Sequence, residues 1–171
     1  MPDYYGIENY EPAAQNGLSS ISATHGTRLA ALTGRTLTRA WLLWDVEDDE
    51  WFADAPVLLD FEGEQLEIQH LKFDDLSLTW NAVTVGGPFV WAEFDLRWRD
   101  DAVPELTALR GRRLEEIELL EWRGRDAALG MVAVGFVFAH GRVTVHNALD
   151  ENGLDFGPPE SEYVRHPVRL A

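Results

Sequence analysis

The sequence predicts a strand-dominated α+β fold. Two pseudo-equivalent tandem units, each a short helix followed by antiparallel strands and a hairpin, are expected to share one core. Three observations lead to this expectation. A segment of the chain repeats: Leu32-Thr33-Gly34-Arg35-Thr36-Leu37 returns 77 residues later as Leu109-Arg110-Gly111-Arg112-Arg113-Leu114. In that ungapped register eight of the 18 positions from Arg28 to Asp45 are identical, where average residue usage gives about one or two. Beyond the identities the apolar pattern persists, with Val57, Leu59, Phe61, Leu66 and Ile68 falling on Val134, Phe136, Phe138, Val143 and Val145. Finally, 46% of the 171 residues are hydrophobic and 11% aromatic, enough to bury a core and too much for a disordered chain.

One domain is therefore expected over residues 1–171, with the duplication at approximately 26–83 and 103–160. Residues 1–25 read as an N-terminal arm or loop, because Tyr4 to Thr24 shows no periodicity. Each unit opens with a helical signal stopped by glycine: Arg28 to Leu32 before Gly34, and Val103-Pro104-Glu105-Leu106 before Gly111. Proline suits a first helical position, an acid suits the positive end of the helix, and glycine suits the residue past its end. Leu37 to Asp45 and Leu114 to Trp122 follow. Ala40-Trp41-Leu42-Leu43-Trp44 reads as a strand, and its repeat partner is expected to share that structure.

Two hairpins come next. Pro56 to Phe61 turns through Glu62-Gly63 into Gln65 to His70, and Val132 to Phe138 turns through His140-Gly141 into Arg142 to His146. Glycine supplies the positive φ that tight connections require. The returning strands alternate, so Leu66, Ile68, Val143 and Val145 should face the core. Gln65, Glu67, Gln69, Arg142, Thr144 and His146 should face water. Val132 to Phe138 is apolar on both faces and reads as a central strand. Leu76 to Trp80 and Val90 to Trp98 add two more strands.

Charge narrows the function. Thirty acidic residues against 14 basic ones give a net charge of −16. Nucleic-acid binding through phosphates and docking on anionic lipid are disfavoured by that balance. No nucleic acid and no membrane is therefore expected as a partner. The 13-residue apolar run from Ala127 to Ala139 is shorter than the roughly 20 residues needed to span a bilayer. Met-Pro-Asp-Tyr-Tyr at the start carries no export signal, which suggests a cytoplasmic location. With no cysteine, thiolate metal sites and cysteine nucleophiles are excluded.

Catalytic motifs are sparse. No two of His25, His70, His140, His146 and His166 show helical metal-site spacing, and Gly-x-Ser-x-Gly and phosphate-binding glycine loops are missing. Asp150-Glu151-Asn152-Gly153-Leu154-Asp155 resembles a fragment of a calcium loop, but Pro158-Pro159 stand where the closing glutamate belongs. Neither a cofactor nor a metal is expected.

The acidic residues are unevenly spread. Between Asp45 and Asp75 twelve carboxylates meet a single base, Lys72, with Trp44, Trp51, Phe52, Phe61 and Phe73 interleaved. Aromatic anchors ringed by charge describe a protein–protein hot spot, and carboxylates speed encounter with a basic partner. The expectation is a non-enzymatic binding module of inhibitor or immunity-like type. It would present Asp45, Glu47, Asp48, Asp49, Glu50, Trp51, Phe52 and Asp54 to a basic protein. Small acidic bacterial antitoxin and immunity proteins are similar in composition, though no motif is shared. The alternative is a small-molecule site or enzyme at the junction of the two repeats, using His70 and His146.

Overall fold

A computed structural model describes residues 6–87 and 94–170. Its elements are β1 (Ala14–Gln15), α1 (Leu18–Ala30), β2 (Leu37–Asp45), β3 (Glu50–Trp51), β4 (Val57–Phe61), β5 (Glu64–His70), β6 (Leu76–Trp80), β7 (Leu96–Arg99), α2 (Pro104–Thr107), β8 (Leu114–Trp122), β9 (Val132–Phe138), β10 (Gly141–Asn147), β11 (Asn152–Asp155) and β12 (Tyr163–Val168). The molecule is strand-dominated, with two antiparallel sheets. One runs β1-β6-β5-β4-β2-β3 with β7 also paired to β2, and the other runs β11-β10-β9-β8-β12. Strand β9, apolar on both faces, lies in the middle of the second sheet as its sequence predicts.

The sheets bury their apolar faces against each other and against α1. Leu59, Phe61, Leu66 and Ile68 of the first sheet meet Ile117, Val134, Phe136, Val143 and Val145 of the second in one cluster. At its centre the Phe61 and Phe136 rings stack with centroids 6.0 Å apart. Helix α1 adds Ile21 and Leu29 to the same cluster.

Helix α1 starts at Leu18, inside the stretch expected to be an arm or loop. Its buried positions, Ile21, His25 and Leu29, recur every four residues, the spacing of one helical face. Histidine in the middle of that stripe hides it from an apolar count. The Trp80 indole donates to His25 Nδ1 at 3.2 Å, so the ring proton sits on Nε2.

The sheets are joined by a reciprocal exchange. Thr36 bridges Arg113. Gly34 N–H donates to Leu114 O and Gly111 N–H to Leu37 O, both at 2.8 Å, while Leu37 N–H reaches Arg112 O and Leu114 N–H reaches Arg35 O. These bonds come in pairs related by the 77-residue offset of the sequence. Leu37 pairs Phe61 and Leu114 pairs Phe138, each followed at once by a register shift. By native-state hydrogen exchange the Gly34 and Gly111 amides are expected to show the same opening free energy. A difference in protection above about tenfold would mean the joint opens from one side first.

A second cluster lies on the opposite face of the first sheet, where Ile7, Tyr10, Leu43, Leu58, Val83 and Leu96 pack together. It overturns one expectation. Gln65, Glu67 and Gln69 do not face water; all three are buried. The segment 81–83 and the Tyr10 strap cover them and satisfy their polar atoms. Glu67 accepts from Thr79 Oγ1 at 2.7 Å, Gln65 Nε2 at 2.7 Å and the Ala82 amide at 3.1 Å. Tyr10 Oη donates to Gln69 Oε1 at 2.6 Å. A polar row is tolerated in a dry layer when each atom has a partner. On the second sheet Thr144 is likewise buried, with Arg142 and His146 half-buried. Of the strand expected at Val90 to Trp98, residues 90–93 lie outside the described residues, and Leu96–Arg99 pairs with β2.

Candidate functional site

Strand registers decide where the acidic stretch goes. Trp41 pairs Leu58, Val57 pairs Ile68 and His70 pairs Leu76. The turns after β2 and β5 therefore lie at one end of the first sheet. Leu37 pairs Phe61 and Phe61 pairs Glu64, so Asp60, Glu62 and Glu64 lie at the other end. Strands of this length separate the two ends by about 20 Å. The twelve carboxylates do not form one face. Glu67 is buried in the second cluster, three lie at the far end, and the rest gather at the near end.

At the near end β2 and β3 form a hairpin closed by the Asp45–Glu50 pair. Asp45 is buried, and its Oδ1 accepts the amides of Glu47 at 3.1 Å and Asp48 at 3.2 Å. That carboxylate holds the turn. Glu47, Asp48, Asp49 and Glu50 are exposed. Asp49, at φ 52°, accepts the Trp44 indole at 3.0 Å and lies 4.0 Å from Arg99. Among the described residues Glu47, Asp48 and Glu50 have no ion-pair partner.

Two of the aromatic residues in this stretch, Trp51 and Phe52, turn inward. Trp51 is half-buried against the main core, and Phe52 against the second cluster with its ring 5.9 Å from Phe94. Asp54 is half-buried, and burial raises its pKa. Among the described residues the large apolar side chains most open to water at this end are two others, Phe73 at 75% and Leu149 at 96% exposure, ahead of Val46 and Phe94. They sit on neighbouring turns fastened to each other. Phe73 N–H donates to Asp150 Oδ1 at 2.9 Å, and Asn147 Nδ2 donates to Phe73 O at 2.8 Å. Both take positive φ, 58° and 63°, a costly conformation for a large side chain. Phe73 stands in the acidic stretch of the sequence. Leu149 lies outside that stretch; its only signal in the sequence is an apolar residue set between the turn formers Asn147 and Asp150.

Behind these turns lie His70 and Asn152. Asn152 is buried; its Oδ1 accepts the His70 amide at 2.8 Å and its Nδ2 donates to Ala55 O at 2.8 Å. The side-chain oxygen that a calcium loop would use is thus committed to the fold, and Asn152–Asp155 is a strand. His70 is sealed, with Nε2 3.0 Å from Val145 O, so Nε2 carries the proton. Burial, opposed by that hydrogen bond and assisted by nearby His146, lowers its pKa to about 4. Both histidines are brought near the junction, but no solvent reaches the His70 ring. Among the described residues no cluster of three or more His, Cys, Asp or Glu could hold a metal ion, and no helix is long and apolar enough to cross a membrane.

Comparison with protein-family models, with curated proteins and with solved structures finds no match for this chain.

Proposed function

We propose that the protein is a non-enzymatic, acidic protein-binding module, of inhibitor or immunity-like type, for a basic partner. The reading is supported above all by one observation. At a single end of the first sheet, the exposed Glu47, Asp48, Asp49 and Glu50 accompany two solvent-facing apolar side chains, Phe73 and Leu149. Carboxylates without cations raise the encounter rate with a positive surface, and apolar anchors slow its departure. Trp51 and Phe52 support the docking end from beneath. In this reading the two halves of the chain are tandem copies of one unit, a view supported by the reciprocal exchange at Thr36 and Arg113.

The test is capture of partners at low and moderate salt, followed by binding kinetics with the captured protein. Glu47→Lys/Asp48→Lys/Glu50→Lys is expected to lower the association rate at least tenfold at low salt. Phe73→Ser/Leu149→Ser should instead raise the dissociation rate. Neither change should move stability by more than about 0.5 kcal/mol, since all five side chains are exposed. A partner that ignores salt, or that binds the charge-reversed protein equally well, rejects the reading.

A further inference from the structure

The outer face of the second sheet carries a cavity of about 270 Å³ whose walls include Trp122, Met131, His146, Glu160 and Tyr163. Drug-sized ligands occupy about 300–1,000 Å³, so this space suits a smaller guest. Strand alternation places the site. Ile117 and Leu119 point into the core, so Trp122 points outward, and Tyr163 sits directly across from it on β12. The two rings meet edge to face, with centroids 4.9 Å apart and planes at 76°.

Trp122 is held in place before any guest arrives. Its indole N–H donates to Asp126 Oδ1 at 2.8 Å. Gly124 lies so close that an added Cβ would stand 2.5 Å from the indole nitrogen. His146 is similarly accommodated by Gly153, where a Cβ would stand 2.4 Å from the ring.

Of the polar groups that line the cavity, the Trp122 indole and the Asn147 amide are committed to the fold, and three others are not. Among the described residues no hydrogen bond or ion pair reaches the Tyr163 hydroxyl, the Glu160 carboxylate or the His146 ring. The local field is negative. Burial, reinforced by the charges of Glu160 and Asp155, pushes the Tyr163 phenol up to about 12. On the same face Arg142 and Arg165 both hold Glu118, so neither is free to neutralise Glu160. Aromatic rings beside a carboxylate without a cation attract an organic cation, through the ring quadrupole and through charge.

We propose that this cavity binds an alkylammonium group of lysine side-chain size, walled by Trp122 and Tyr163 and countered by Glu160. The site adjoins the proposed docking end through Asn147, which lines the cavity and donates to Phe73 O, but the argument for it does not depend on that reading. The test follows indole N–H resonances of the full chain during titration, with the Trp122 signal assigned through Trp122→Phe. The probes are n-butylammonium, for a free amine, and N-acetyl-lysine methylamide, for a lysine side chain, with 1-pentanol as the neutral match. A saturable shift at Trp122 with either cation and none with pentanol is expected, and the better cation identifies the source. Glu160→Gln, an exposed change that leaves the fold intact, should weaken binding about fivefold to tenfold. An equal response to pentanol, no response to either cation, or unchanged affinity in Glu160→Gln overturns the proposal.

Discussion

Glu118→Ala is expected to destabilise the protein by about 3–5 kcal/mol, the range for removing one partner of a buried ion pair. Glu118 is fully buried on β8, yet it sits between two arginines. Its Oε1 accepts Arg142 Nη2 and its Oε2 accepts Arg165 Nε, both at 2.8 Å. The Arg142 side chain is only 12% exposed, against 51% for Arg165. Without the carboxylate Arg165 can turn to water, but Arg142 stays charged in a dry place. Gly135, directly opposite Glu118 on the central strand, leaves the space in which the pair lies. A Cβ there would stand 2.9 Å from Arg142 Nη2 and 3.0 Å from Glu118 Cγ. Urea unfolding at constant m reads the effect. Glu118→Leu/Arg142→Leu should recover most of the loss, because replacing both charges removes the orphan. A cost below about 1 kcal/mol for Glu118→Ala would mean that Arg142 reaches solvent.

Acidification is expected to weaken the fold through His70. Its folded pKa of about 4 lies below the ordinary histidine value of 6.5. Between those values the unfolded chain binds the proton and the folded chain does not, so stability falls as pH drops through the window. From pH 7.5 to 4.5 the loss attributable to this residue is about 2–3 kcal/mol. His25, lowered by burial and by Arg28, adds to it with the same sign. Carboxylates titrate nearby, so the decisive measurement is a difference between two profiles. His70→Gln, whose amide can still donate to Val145 O, should flatten the decline relative to the parent protein. Identical profiles would show that the ring is hydrated in solution.

Where the sequence speaks through periodicity, the fold is legible. Strands β2 and β8, the two hairpins and the central β9 fall where alternation and the repeat place them. Short edge strands carry no such pattern. Glu50–Trp51 and Asn152–Asp155 are too brief to alternate, and Tyr163–Val168 contains arginine, histidine and proline. The dry side of β5 was unreadable for another reason. Gln65, Glu67 and Gln69 look like a solvated face, and only the distant segments that supply their partners make it a buried one. Density along the chain also differs from density in space. Antiparallel hairpins send successive turns to opposite ends, so Asp60, Glu62 and Glu64 part from Glu47 to Glu50. The proposed docking end is legible in its charge and in Phe73, and illegible in Leu149, which joins it only through the contact between two turns.

The strands that finish each sheet have a consequence for behaviour at high concentration. β1 and β3 are two residues long and β11 only four, β7 carries Arg97 and Arg99, and β12 includes Pro167, which has no amide hydrogen to offer. An incoming chain seeking to extend either sheet would find too few consecutive donors, a charge to desolvate, or a gap in the ladder. Crowding alone therefore gives these molecules little opportunity to polymerise edge to edge, even though strands dominate the fold.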